Sequence, residues 1–346
     1  MKKTLLFFVV LLIVEKGVTQ GVEPKDWGLE AFHVKDPKLG NIHFYVSQNG
    51  IDEEKPLMIV YSGCRGLPTY LVIQGEDKSI QLGTVPPDQI QTFADQYHVA
   101  FVGKAGTPFC DTMIVKEVNP LQNLEEYQPS HEYIQKCGME WDIQATNVVI
   151  DTLCNMLTIA GNKIIVVGFS EGGMLAVRLA SENKKITHLI SVTSGVLNQF
   201  YSSIINRRMD AAMGHISHQE AQAKVDSLFA VYKKIYNNPQ STEKWYYGHP
   251  YKRWGSFCNF IPLEHLVKLH IPILFVNGSN DRNTPILQAD YIQLEFIRLG
   301  KDNLTYHVMP GVDHWFYEIV EKDGQQTPID HKKDFFQLAR NWIAAN

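Results

Sequence analysis

Residues 163–173 read Lys-Ile-Ile-Val-Val-Gly-Phe-Ser-Glu-Gly-Gly, and they decide how the rest of the chain is read. The Ile-Ile-Val-Val run is apolar and β-branched, the composition of a strand buried on both faces. It runs directly through Gly168-Phe169-Ser170-Glu171-Gly172 into MLAVRLASE, residues 174–182, whose apolar positions recur at helical spacing. A Gly-x-Ser-x-Gly turn between strand and helix has a physical purpose. The sharp turn lifts the serine hydroxyl clear of the sheet, and glycines on either side let backbone pass where a Cβ would clash. The N–H groups opening the new helix point toward any negative charge that forms there. Ser170 is therefore the candidate nucleophile.

Outward from this stretch, short apolar runs alternate with longer helical patterns, which predicts βαβ units around a mainly parallel sheet. The predicted strands are 43–47, 57–62, 99–103, 163–169, 188–194, 273–278 and 304–309; the predicted helices are 141–157, 172–182, 287–299 and 331–344. The fold class is α/β, with helices covering both faces of the central sheet. Two stretches interrupt the alternation. One is polar and spans about 107–140. The other, 197–270, contains a helical pattern at 218–236 and the aromatic passage TEKWYYGHPYKRWGSF. It is longer than a crossover helix requires, so it reads as an insertion over one end of the sheet. Parallel sheets build their sites at the carboxyl ends of their strands.

A serine on such a turn needs a base and a group to orient that base, expected in the order Ser, Asp or Glu, His. The strand IPILFVNG ends in Ser279-Asn280-Asp281, and the strand LTYHVM leads through Pro310-Gly311-Val312-Asp313 to His314. Asp281 and His314 thus fall just beyond strand ends, as acid and base. Asp313 is the poorer acid because consecutive side chains in a turn diverge, and His307 lies within a strand. An oxyanion formed at Ser170 would take backbone N–H groups from Glu171 and from Cys64, in the loop Tyr61-Ser62-Gly63-Cys64-Arg65-Gly66.

At Ser170, Asp281 and His314 the chain resembles the α/β-hydrolase superfamily, over nearly all of its length after the first residues. The GFSEGG turn resembles the dienelactone-hydrolase and prolyl-oligopeptidase-like branches. The blocks YSGCRG, FVGKAGTPFCD and GFSEGG together resemble a group of poorly characterised bacterial α/β hydrolases. The resemblance implies a serine hydrolase acting through an acyl-enzyme. A carboxylic ester is the leading substrate, with a peptidase or amidase using the same triad as the alternative. A non-catalytic binding protein of this fold would be expected to have a broken triad, and all three residue types are present.

Composition narrows the field further. With 32 Lys and Arg against 37 Asp and Glu, the net charge is −5 and no basic patch is interleaved with aromatics, which argues against nucleic acid as partner. Lys2 and Lys3 precede an apolar run of about ten residues, Leu5 to Val14, the pattern of a secretory leader and too short for a comfortable membrane span. Residues 1–20 are thus expected to be a signal peptide, and 21–346 an exported hydrolase domain carrying the 197–270 insertion. The five cysteines lack Cys-x-x-Cys spacing, so zinc is not indicated, and with no metal-ligand cluster or phosphate loop in the sequence no cofactor is expected. Cys110 and Cys137 share a polar stretch and form the expected disulfide. Arg65, Trp245 and Trp254 are candidate substrate contacts.

Overall fold

The computed structural model describes residues 10–14, 22–63, 66–84, 87–322 and 324–346. After β1 (Val10–Val14) and a 3-10 turn (Pro24–Trp27) come β2 (Leu29–Asp36), β3 (Gly40–Ser47), β4 (Lys55–Tyr61), β5 (Tyr70–Gln74), β6 (Ser79–Gly83) and α1 (Pro87–Ala94). Then follow β7 (His98–Val102), β8 (Cys110–Ile114), α2 (Pro120–Glu126), α3 (His131–Lys136), α4 (Met139–Met156) and β9 (Ile159–Phe169). The second half holds α5 (Glu171–Glu182), β10 (His188–Val192), α6 (Gln199–Ala212), α7 (His218–Tyr236), β11 (Trp245–Tyr246), β12 (His249–Pro250), α8 (Tyr251–Cys258) and α9 (Pro262–Leu266). It closes with β13 (Ile273–Gly278), α10 (Ile286–Arg298), β14 (Leu304–Met309), β15 (Tyr317–Lys322), β16 (Gln325–Asp330) and α11 (Lys332–Ala345).

The large sheet has the order β14-β13-β10-β9-β4-β7-β3-β2. Two compact units divide the chain. One runs up to Val166 and takes in Trp245–His249; the other is Val167–Lys244 with Pro250–Asn346. In the first, β4 and β7 are parallel, β3 runs antiparallel to β7, and β2 closes a hairpin in register from Leu29 opposite Ser47 to Asp36 opposite Gly40. The strands β4 and β7 are almost wholly buried, as their apolar runs require, and α1 and α4 pack on β3 and β7. A second sheet of this unit, β1-β6-β5-β8, covers a separate apolar cluster that includes Leu71, Ile73, Ile80, Leu82 and Leu124.

In the second unit β10, β13 and β14 are mutually parallel neighbours. Every residue of β10 and β13 is buried. The helix α5 packs on β10, and α10 packs on β13 and β14. Phe169, at the end of β9, meets Phe335 of α11 edge-on with centroids 5.5 Å apart. The insertion contributes α6 to α9. Helix α7 starts where Ser217 accepts a hydrogen bond from Glu220 N, 3.0 Å, satisfying one of the N–H groups a helix start leaves unpaired.

The described strands include β2, β5, β6, β8, β15 and β16, which apolar periodicity does not pick out. The polar stretch 107–140 is not an irregular excursion, since it holds β8, α2 and α3. Cys110 and Cys137 do not form the expected disulfide: Cys110 opens β8, whereas Cys137 caps α3, its thiol 3.3 Å from the Ile134 carbonyl. Of the expected leader, only Val10–Val14 lies within the described residues, paired antiparallel with β6. No helix among the described residues is long and apolar enough to cross a membrane.

Candidate functional site

Ser170 follows the last residue of β9 and caps α5, with φ 55° and ψ −118°. A positive φ costs a non-glycine residue on the order of 1–3 kcal/mol, which only a well-determined surrounding structure sustains. Here the surroundings are glycines and hydrogen bonds. A Cβ on Gly168 would collide with the Gly172 carbonyl, and one on Gly173 would meet Ser191 and Ser194. Ser170 N donates to Val192 O (2.9 Å), and Gly173 N to Ser170 O (3.0 Å). The turn is thus pinned to the end of β10.

Two further loops are laced together to form the rest of the site. Gly278 ends β13, where a Cβ would strike the Val312 backbone, so the loop after β14 can lie directly on the loop after β13. Ser279 N donates to Met309 O (3.0 Å), Asn280 N to Val312 O (2.9 Å) and Gly311 N to the Ser279 hydroxyl (2.8 Å). This lacing carries His314 to Asp281. With its proton on Nδ1, His314 donates to Asp281 Oδ2 at 2.7 Å and accepts the Ser170 hydroxyl at Nε2 across 3.0 Å. His314 and Asp281 are 4% and 3% exposed, so water competes little for either bond. Three residues separated widely in sequence are thereby joined in one hydrogen-bonded chain.

Asp281 is held by its own turn. Its Oδ1 accepts from Asn283 N (2.7 Å) and Thr284 N (2.8 Å), and its Oδ2 also accepts from the Thr284 hydroxyl at 2.6 Å. Sequence patterns did not single out Thr284, although its Asp-x-x-Thr spacing just before a helix was the signal that could have found it. Asp313 faces away: its Oδ1 accepts from Trp315 N (2.8 Å) and Tyr317 N (2.9 Å) and stabilises the turn after the histidine. His307 lies within β14.

Glu171 is the first residue of α5, where backbone N–H groups have no partner within the helix. Cys64 and Arg65 lie outside the described residues. Trp245 belongs to the first unit, where Leu67, Leu124, Tyr127, Trp245 and Tyr247 line a cavity of about 340 Å³. Trp254 belongs to the second unit and packs edge-on against Phe200, centroids 5.3 Å apart. Arg282 is bound to Asp210, Nη2 to Oδ1 2.7 Å.

One further contact at the turn joins residues far apart in the chain. The Glu171 carboxylate is buried and accepts a hydrogen bond from the Arg253 guanidinium of α8. Arg253 Nη1 also donates to Gln199 Oε1 at 2.7 Å, and the guanidinium lies over the Trp254 and Phe257 rings at 4.7 and 4.3 Å. No sequence signal pairs two charges 82 positions apart.

The family model for the C-terminal domain of BAAT and acyl-CoA thioester hydrolases matches residues 147–317, just under half of the chain. No curated protein matches the sequence significantly. Among solved structures, an acylaminoacyl peptidase from Pyrococcus horikoshii is similar with a TM-score of 0.53 at 13% identity, over 91% of this chain and 41% of that one. Dipeptidyl peptidase 4 from Porphyromonas gingivalis gives 0.53 at 13% identity, over 92% of this chain and 35% of that one. A protein described as a dienelactone hydrolase from Klebsiella pneumoniae gives 0.51 at 14% identity, over 92% and 99%. The chain spans about two fifths of the length of the acylaminoacyl peptidase. The shared feature is the fold, and with the strand order it gives one conclusion: the chain has the α/β-hydrolase fold.

Proposed function

We propose that this protein is a serine hydrolase that cleaves carboxylic esters through an acyl-enzyme on Ser170. The observation that supports this reading most is the buried chain from the Asp281 carboxylate through the His314 imidazole to the Ser170 hydroxyl. As Oγ attacks the acyl carbon, Nε2 takes the hydroxyl proton, and the carbonyl electrons move onto the acyl oxygen. The N–H of Glu171 and that of Cys64 are the proposed donors to that oxygen. Collapse of the intermediate breaks the bond to the leaving alkoxide, which takes the proton from the imidazolium. Water then repeats both steps on the acyl-enzyme and frees the acid. Asp281 holds the Nδ1–H tautomer and offsets the positive charge on the ring without accepting the proton.

The matched family and the acylaminoacyl peptidase likeness favour a second reading, in which the same three residues cleave a thioester or an amide. We propose also that the protein works outside the cytoplasm after removal of residues 1–20, for which the support is the charged and apolar pattern of that segment.

A fluorophosphonate probe tests the mechanism. Wild-type protein is expected to be labelled on Ser170, and Ser170→Ala to stay folded and unlabelled. An unreactive wild type, or a labelled Ser170→Ala variant, overturns the reading. Relative kcat/KM on matched aryl esters, acyl thioesters and aminoacyl anilides then separates the substrate classes, with the ester expected to be fastest.

A further inference from the structure

Glu171 supplies the N–H that the proposed mechanism directs at the oxyanion, yet its own side chain is a buried carboxylate. A fixed anion one residue from the nucleophile opposes the negative charge that grows on the acyl oxygen, and burial makes the opposition stronger than it would be in water. Arg253 stands against that carboxylate and is itself 4% exposed. Buried ion pairs contribute little net stability, because desolvation offsets most of the attraction. The pair therefore invites a role other than holding the fold together.

The surroundings of Arg253 show how firmly it is placed. Gln199, at the start of α6, accepts from its Nη1 at 2.7 Å, and Gln199 Nε2 in turn lies 3.4 Å from the Met174 sulfur on α5. The Trp254 and Phe257 rings close over the guanidinium. The helices α5, α6 and α8 thus meet around one cation, and that cation touches the first residue of the helix that Ser170 caps.

We propose that Arg253 is a positioning residue of the active site. The proposal rests on the serine-hydrolase reading above. Arg253 cancels the charge of Glu171 and anchors the first turn of α5, so that the Glu171 N–H meets a growing oxyanion without an opposing carboxylate behind it. It makes no contact with substrate.

The test uses the full chain as Arg253→Met, Arg253→Lys and the double variant Glu171→Gln/Arg253→Met. For each, kcat and KM on an aryl ester are measured together with the affinity for phenylboronic acid, which becomes a tetrahedral anion on a serine. Arg253→Met is expected to lower kcat and boronate affinity by about 10–100-fold, with KM changing far less. The double variant, which removes both charges, is expected to recover most of that loss. A merely structural pair would move the unfolding midpoint and leave kcat per folded molecule unchanged, so kcat is counted per fluorophosphonate-labelled Ser170. If Arg253→Met fails to fold, Arg253→Lys decides: it keeps the charge and is expected to retain most of kcat. Near-normal kcat in Arg253→Met, no recovery in the double variant, or a loss in Arg253→Lys of about 10–100-fold overturns the proposal. A wild type that resists the fluorophosphonate overturns the serine-hydrolase reading and this inference with it. Labelled wild type with kcat indifferent to Arg253 overturns this inference alone.

Discussion

The two regions of the second unit that meet at Arg253 are built on different terms. The loops carrying Ser170, Asp281 and His314 are controlled by backbone: a positive φ at Ser170, glycines at 168, 173 and 278 where no Cβ fits, and main-chain bonds lacing the loop after β13 to the loop after β14. The insertion is controlled by side chains. Phe200 packs against the Tyr232 and Trp254 rings, and Asn198 Nδ2 reaches the Tyr232 hydroxyl (3.0 Å) and the Cys258 carbonyl (2.9 Å). Backbone constraints narrow each position to one or two residue types. Side-chain packing accepts many combinations of similar volume. In the first region a substitution at the hydrogen-bonded chain should lose rate, and in the second a substitution should lose stability alone.

The largest expected effect tests the first half of that contrast. Asp281→Asn should lower kcat by about 10⁴-fold, the loss that this change causes in serine proteases by leaving the imidazole in the wrong tautomer. Its unfolding midpoint should fall as well, because the carboxylate also holds Asn283 N and Thr284 N. Asp313→Asn should lower the midpoint while costing little rate, because its carboxylate serves Trp315 N and Tyr317 N and not the imidazole. Steady-state kinetics and thermal unfolding on the two variants separate the roles. The contrast breaks if Asp313→Asn is the inactive one.

Phe200→Ala tests the other half. Phe200 is buried, and removing an aromatic side chain from such a place costs about 3–5 kcal/mol. Urea unfolding should show that loss, while Ser170 in the protein that remains folded still takes the fluorophosphonate. Retained stability would mean that the insertion is held by something other than its aromatic cluster.

The smallest effect belongs to a segment outside both regions. His331 lies between Asp334 of α11, 2.7 Å from Nδ1, and Glu318 of β15, 3.2 Å from Nε2. The hydrogen bond from the ring to Asp334, followed by that to Glu318, raises its pKa above the ordinary histidine value. A raised folded pKa gives stability that is fully present below the unfolded pKa, about 6.5, and lost as pH rises through the folded value. The ring is partly exposed and Asp334 is open to solvent, so the contribution is small. The Tm advantage of wild type over His331→Gln should shrink from about pH 5.5 to about pH 8.5. An advantage that grows with pH would show that the two carboxylates do not hold the protonated ring.

The sequence by itself determined the α/β class, the positions of β9, β10, β13 and β14, the helix at 218–236 and three residues for the candidate site. Buried strands demand continuous apolar runs, and sharp turns demand glycine, so both leave marks within a few adjacent positions. The short strands β5, β6 and β8 and the carboxylate that Arg253 meets were decided only by the tertiary structure. The same holds for Cys110 and Cys137, whose nearness in a polar stretch suggested a bond that their separate elements do not make. Each of these depends on which distant side chain fills a given space, and packing leaves no periodic or local signature in the chain.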